Sequence, residues 1–322
     1  MRSPENKLDT ARGNRKLKVK RKFILAFEGY RTEVQYFKGV SDNRSGLGIP
    51  SLIEVCPLER YPIQSGSSDP EKVLELLEEY IKFLKCGKYS LDLFISTFIT
   101  HIIPENGIIG VKNKIDEFKR TAKESLQTLC SGNDLISDTD KAKEICSEIY
   151  YKVFEASEKI HFDVPESIDY REDRDVICVI VDRDADSRDS SKCNEFFSRC
   201  RKSNFEPYMT NPCFEMWLLL HFDEVLDENR EILLQNEMID GKRYTERRLD
   251  EILMAISKER NRYSVPEEKS GYFKNDLDFS SFMHRVDDAI KNEKEFCNDI
   301  NCIKANAGSN IGSLIEKMRH HD

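Results

Sequence analysis

Acidic residues stand in this sequence where apolar runs stop. FILAFEGYRTE (Phe23–Glu33) takes five apolar residues straight into Glu28, then Gly29, and reaches a second acid at Glu33. DVICVIVDRDAD places Asp182 and Asp184 directly after the unbroken run Val176–Val181. NPCFEMWLLLHF (Asn211–Phe222) carries Glu215 inside an otherwise apolar stretch, where burial of an unpaired carboxylate is expensive. Carboxylates gathered at one point suit Mg²⁺ or Mn²⁺, which take hard oxygen ligands and leave room for water and phosphate. Beside a phosphate such a metal polarises the phosphoryl oxygen, acidifies a bound water and steadies the leaving group.

Each acid also has a plainer reading. Glu28 could be a loop residue or helix cap, Gly29 the turn residue of any strand–helix junction, and the Asp-rich run a solvated loop. Glu215 could emerge at the surface in the first turn of a helix, favoured by the helix dipole, pair with a cation, or face a metal. The run DRDADSRD imitates an EF-hand at its first, third and fifth positions, but Ser187 stands at the sixth and Cys193 at the twelfth, which excludes that loop. His221 reads as a packed core histidine rather than a ligand.

The elements that must position these acids follow from periodicity. Phe23–Phe27 reads as a buried strand, and Thr32-x-x-Gln35 fits a capping box for a helix carrying Val34, Phe37 and Val40. Ser51–Leu58 reads as a second strand ended by Pro57. Asp69 as N-cap and Pro70 at the first helical position open a helix bearing Val73, Leu74, Leu77, Ile81 and Leu84. Leu91–Ile103 reads as a core helix or a pair of strands, and residues 86–170 as a helical insertion. Val176–Val181 has the β-branched character of a central parallel strand, followed by a helix over Ser191–Ser203 and a short segment. Asn211 is then expected to cap a helix whose first residue is Pro212. Strands alternating with helices predict an α/β fold with a mostly parallel sheet flanked by helices. In such sheets ligands collect beyond the carboxyl ends of the strands, where Glu28, Asp182 and Asp184 fall.

Composition narrows the class. The chain has 322 residues, 39% hydrophobic and 34% charged, with no apolar run long enough to span a bilayer. Ten cysteines show no C-x-x-C pair and no zinc-like spacing, so they read as reduced thiols in a cytoplasmic protein. The formal charge is -9, yet residues 7–22 carry a net +7; with Arg2 and Glu5 cancelling, -16 remains from Phe23 on. That basic leader could grip a phosphate backbone or serve as a solvated tail. The phosphate loop G-x-x-x-x-G-K-[ST], the G-x-G-x-x-G, H-E-x-x-H and G-x-S-x-G motifs are all absent, so any ATP use would fall to a partner.

Several blocks resemble RloB-like proteins. EGYRTEVQYF (Glu28–Phe37) resembles their EG-x-x-T-E-x-x-YF opening, VDRDAD (Val181–Asp186) their second acidic strand end, and NPCFEMWLLLHF is similar to their N-P-x-F-E-x-W-L-L-L-H-F block almost letter for letter. GYFK (Gly271–Lys274) looks like their Tyr-x-Lys loop, and NAGSNIGSLIEKM (Asn306–Met318) like their terminal segment, with Ala307 where the family has proline. The stretch from Cys86 to Tyr170 is longer than the family pattern leads one to expect. The resemblance implies a Toprim-like core over 23–85 and 171–222, after a basic tail (1–22), interrupted by the insertion (86–170) and followed by a helical C-terminal part (223–322). It implies a metal-dependent nuclease of anti-phage defence, with Mg²⁺ or Mn²⁺ on Glu28, Asp182 and Asp184. Glu33 or Glu215 would bind a second metal and Lys274 hold a phosphate. Arg183 or Arg188 could neutralise the scissile phosphate. The implied partners are a nucleic-acid substrate and a companion AAA/ABC-class ATPase, with self-association left open and no membrane. Two other classes stay in play: a metal-binding module that docks on the ATPase without catalysis, and a phosphatase-like hydrolase with an Asp nucleophile.

Overall fold

A computed structural model describes residues 20–29, 31–58, 70–86, 88–102, 112–131, 134–155, 170–183, 190–260 and 277–320. Five strands form the main sheet: β1 (Arg21–Phe27), β2 (Ile53–Pro57), β5 (Val176–Asp182), β6 (Glu206–Asn211) and β9 (Gly308–Ser309). Their order is β2-β1-β5-β6-β9; the first four run parallel and β9 pairs antiparallel with β6. Two small hairpins, β3 (Cys130–Ser131) with β4 (Leu135–Ile136) and β7 (Met238–Ile239) with β8 (Lys242–Arg243), stand apart from it. The chain is thus α/β, as the alternating pattern predicts.

Side chains alternate across the sheet, and both faces are covered. Phe23, Leu25 and Phe27 of β1, Cys178 and Ile180 of β5 and Tyr208 of β6 share one core with α1 (Thr32–Asp42) and α7 (Phe214–Leu219). Ile24 and Ala26, then Ile177, Val179 and Val181, then Met209, pack the opposite face against α2 (Pro70–Cys86) and α6 (Ser190–Lys202). Burial on both sides is why β1 and β5 read as continuous apolar runs. Arg199 of α6 ties these two helices together, reaching Glu71 at 2.7 Å and Glu78 at 2.7 Å on α2.

The insertion holds α3 (Leu91–Ile102), α4 (Lys112–Leu126) and α5 (Thr139–Phe154), with the β3–β4 hairpin as an addition to the helices expected there. Leu91–Ile102 is a helix, not two strands, because Leu91, Phe94, Ile95, Phe98 and Ile99 recur on one face. These residues build a second core with Phe118, Leu126 and Ile136, which Phe83 of α2 joins. The C-terminal helices are α8 (Arg230–Gln235), α9 (Tyr244–Arg260), α10 (Ser280–Met283), α11 (Val286–Glu295), α12 (Ile300–Ile303) and α13 (Ile311–His320). Phe282, Val286, Ile311 and Leu314 from this part pack into the same core as β1 and α1.

Four local expectations are corrected. Thr32 is the first helical residue rather than the cap; Arg31 takes the cap position, and the Gln35 side chain instead accepts from the Leu277 N–H at 3.1 Å. The short segment after α6 is β6, a strand paired on both sides. Asn211 closes that strand, the Asn211–Pro212 peptide is cis, and Cys213 occupies the cap position of α7. Cys297 and Cys302 form a disulfide, Cα atoms 5.6 Å apart, where free thiols were expected; the turn that Asp299 caps at the start of α12 brings them together. Asp69 and the basic residues 1–19 lie outside the described residues. Among those described, no helix is long and apolar enough to cross a membrane.

Gly308 in β9 shows how tightly the sheet edge is closed. A Cβ there would come within 2.0 Å of the Cys297 carbonyl oxygen, a backbone atom. Gly308→Ala should therefore lower stability by about 1–3 kcal/mol in urea unfolding; an unchanged midpoint would mean the edge is free to shift.

Candidate metal centre

The site lies where β1 and β5 end side by side. Glu28, the first residue after β1, donates its N–H to the Ile180 carbonyl at 3.0 Å, continuing the parallel ladder. Its chain then turns away, so no backbone oxygen is left opposite the next amide of β5. The Glu28 side chain takes over: its Oε2 accepts the Asp182 N–H at 3.0 Å. A buried amide needs such a partner, and here a carboxylate supplies it, which fixes Glu28 over the strand end.

Alternation places Asp182 on the α1/α7 face, with Cys178 and Ile180. Its Oδ1 accepts from the Thr210 hydroxyl at 2.6 Å, and Thr210 lies opposite Asp182 in the β5–β6 register. Burial pushes the Asp182 carboxyl well above its usual range, with the charges of Glu33, Glu28 and Glu215 adding to the shift.

Two helices bring further acids to the same place. Glu33 sits in the first turn of α1 and accepts from its own N–H and that of Gly29, an arrangement an acid at a helix N-terminus favours. A Cβ on Gly29 would lie 2.0 Å from Glu33 Oε1, so glycine is what lets this carboxylate lie against the turn. Burial raises Glu33 to about 7, reinforced by the charges of Glu215 and Glu28. Glu215, in the first turn of α7, is 8% exposed and faces Glu33 and Asp182 rather than solvent. The plain surface reading of Glu215 therefore fails. Cys213, at the cap of α7, borders the cluster; its thiol contacts Thr245 Oγ1 at 3.2 Å, and burial, then the charges of Glu215 and Asp182, push it well up.

Glu28, Glu33, Asp182 and Glu215 thus converge from four separate elements. Asp184, Arg188 and Lys274 lie outside the described residues. Arg183 is described and is no surface residue: its Nε donates to the Lys304 carbonyl at 2.9 Å, on the face of the sheet that carries α6. The donor set is hard oxygen throughout, which suits Mg²⁺ or Mn²⁺. Among the described residues alone, no group of three or more His, Cys, Asp or Glu is arranged to hold a metal ion.

His221 is a core residue, as its apolar setting suggests. It is fully buried; its Nδ1 lies 3.0 Å from the Trp217 carbonyl, which can only accept, so that nitrogen carries the proton. Nε2 is then the acceptor for the Tyr36 hydroxyl at 3.0 Å. Thr210 and Cys213 are the site residues that sequence reading missed. No sequence signal pointed to Thr210: EPYMTN shows no alternation of apolar and polar residues, and Tyr208, Met209, Thr210 and Asn211 are all buried.

A family model described as RloB-like protein matches residues 23–318. No curated protein and no solved structure matches the chain.

Two outcomes follow from this geometry. Gly29→Ala should drive the Glu33 carboxylate out of the cluster and return its titration from about 7 toward an ordinary glutamate. Carbon-13 NMR of the glutamate carboxyls reads this directly, and an unmoved midpoint would refute the crowding at Gly29. Burial lowers His221 to about 3, so the folded chain refuses a proton that the unfolded chain binds below its ordinary value near 6.5. Stability contributed by neutral His221 should fade as pH falls from 6.5 toward 3, by up to about 1.4 kcal/mol per pH unit. His221→Gln should flatten that slope in urea unfolding across the window, and equal slopes in both proteins would contradict it.

Proposed function

The chain belongs to the RloB-like family, and from that premise we propose that it is a metal-dependent nuclease hydrolysing phosphodiester bonds of DNA or RNA. The observation that carries this reading is the convergence of Glu28, Glu33, Asp182 and Glu215 beyond the carboxyl ends of parallel strands. That is where α/β sheets of this kind take their ligands. Glu28, Asp182 and Asp184 would hold Mg²⁺ or Mn²⁺. The ion, when bound, supplies Lewis-acid activation of the phosphate and of the attacking water.

The chain's own residues do the rest. The Asp182 N–H and the Thr210 hydroxyl orient Glu28 and Asp182 before any substrate arrives. Glu33, held by the Gly29 amide, and Glu215, delivered by α7, are the carboxylates placed to receive the proton of the attacking water or to take a second ion. In hydrolysis the water oxygen bonds to phosphorus, one P–O ester bond breaks, and the departing oxygen takes up a proton. Lys274 is assigned the phosphate on family position alone. Arg183 donates its Nε to the Lys304 carbonyl.

The family resemblance further suggests a Toprim-type core, a part in anti-phage defence and a companion AAA/ABC-class ATPase. The core that α3, α4 and α5 share with Phe83 of α2 gives the insertion an apolar body on which such a partner could dock. It also keeps the rival reading specific: a metal-binding module that works by docking alone.

Glu28→Gln and Asp182→Asn should each cut Mg²⁺- or Mn²⁺-dependent nucleic-acid cleavage by about a hundredfold or more, with unchanged circular dichroism. Full cleavage by both variants would sink the mechanism. Metal binding by the wild-type chain without cleavage, with or without the ATPase, would establish the module instead.

A further inference from the structure

We propose that Cys297 and Cys302 are a thiol–disulfide exchange site, closed and opened by small disulfides and thiols of the glutathione class, whose state sets how firmly the sheet edge at β9 is held. It involves none of the clustered acids and requires neither metal nor catalysis.

Access and loop length set this bridge apart. Cys297 and Cys302 are both half-buried, and Asn298, Asp299 and Asn301 between them are exposed, so the bridge lies at the protein surface. Cys146, Cys178, Cys193 and Cys200, by contrast, are buried free thiols. The sequence separation of the bridged pair is only 5, and the chain entropy that a disulfide removes grows with the loop it closes. Opening so short a loop costs the whole fold little, and the effect is local. Accessible disulfides are the labile ones that exchange with solution thiols, unlike a buried permanent staple.

What the bridge joins gives it a consequence. Cys297 is the residue against which β9 is laid: its carbonyl accepts the Ser309 N–H at 3.0 Å, and a Cβ on Gly308 would meet that oxygen at 2.0 Å. Cys302 lies in α12, and the carbonyls that follow it grip the ends of two sheet strands. The Ile303 carbonyl accepts from the Asn211 side chain at 2.5 Å, and the Lys304 carbonyl from Arg183 Nε at 2.9 Å. β9 in turn pairs with Thr210 and Asn211 of β6. The bridge therefore ties the support of β9 to the grip of α12. With it open, each segment keeps only its hydrogen bonds, and β9 loosens from the Cys297 side. Closure needs glutathione disulfide alone. A thiolate of the pair attacks one of its sulfurs, that S–S bond breaks and one glutathione leaves. The second thiolate attacks the mixed disulfide, the Cys297–Cys302 bond forms and the other glutathione leaves. Two electrons pass from the pair to glutathione disulfide, and the two protons of the pair end on the released thiols.

The test is peptide-mapped alkylation and native hydrogen exchange of the full chain, in glutathione disulfide and in dithiothreitol. In glutathione disulfide, Cys297 and Cys302 should be protected from alkylation as a pair. Dithiothreitol should expose both while circular dichroism stays unchanged. Reduction should quicken amide exchange in the peptides that hold Ser309 and β6 by about tenfold or more, with β1 as slow as before. The double variant Cys297→Ser, Cys302→Ser should exchange like the reduced chain in both buffers; if it does not fold, wild type in the two buffers carries the comparison. A pair that stays open to alkylation in glutathione disulfide, a bridge that resists dithiothreitol in the folded chain, or equal exchange at β9 in both states would each overturn the assignment.

Discussion

The bond between the Glu28 carboxylate and the Asp182 amide is what the rest of the site depends on. It solves two problems at once. The last amide of β5 loses its ladder partner when the chain leaves β1, and an unpaired buried amide is costly. Glu28, for its part, would be a buried charge without compensation. By meeting, the two groups satisfy each other and fix a carboxylate to within the tolerance of a hydrogen bond. The neighbouring acids are then arranged around a point that the sheet itself defines.

Such a cluster opposes its own formation. Burial and mutual repulsion raise both Glu33 and Asp182, so the folded chain favours protons or a cation there. The restraint comes from neutral donors: the Thr210 hydroxyl on Asp182, the Gly29 amide on Glu33, the Asp182 amide on Glu28. Each is attached to backbone that the sheet or a helix start holds rigidly. The apolar bulk on either face of the sheet is what keeps that backbone still, with Trp217, Phe27 and Phe37 on one side and Phe197 and Leu74 on the other. The C-terminal part belongs to this support, because β9 completes the pairing of β6 at Thr210.

What the sequence disclosed follows from how local each signal was. β1 and β5 were legible because strands buried on both faces are unbroken apolar runs, and α2 because its apolar spacing and Pro70 mark a helix start. The acids at the strand ends were legible as soon as two such strands ended alike. β6 escaped because EPYMTN contains a proline and three polar residues, and its burial comes from neighbours distant in sequence, β5 and β9. The start of α7 was misjudged for a related reason. Asn211 looks like a cap by composition, yet its side chain is engaged with Ile303, ninety-two positions away, and the helix begins only after Cys213. Gln35 was likewise drawn out of a local capping box by the amide of Leu277. Local rules failed where a tertiary hydrogen bond outbid them.

The spacing of the EGYRTE segment can now be read as one physical unit. Glu28 must follow the last ladder residue at once, since only there can its side chain reach the Asp182 amide. Gly29 must come next, because the chain turns at that point and a Cβ would occupy the space of the Glu33 carboxylate. Thr32 then opens α1, and Glu33 falls in its first turn, where exposed amides welcome a carboxylate. Glutamate, glycine and glutamate are thus interdependent: moving the second acid by one residue would rotate it by about 100° around the helix, away from Gly29 and the strand end. The interval between the two acids is fixed by the turn, and so the first helix carries its acid back to the strand that precedes it.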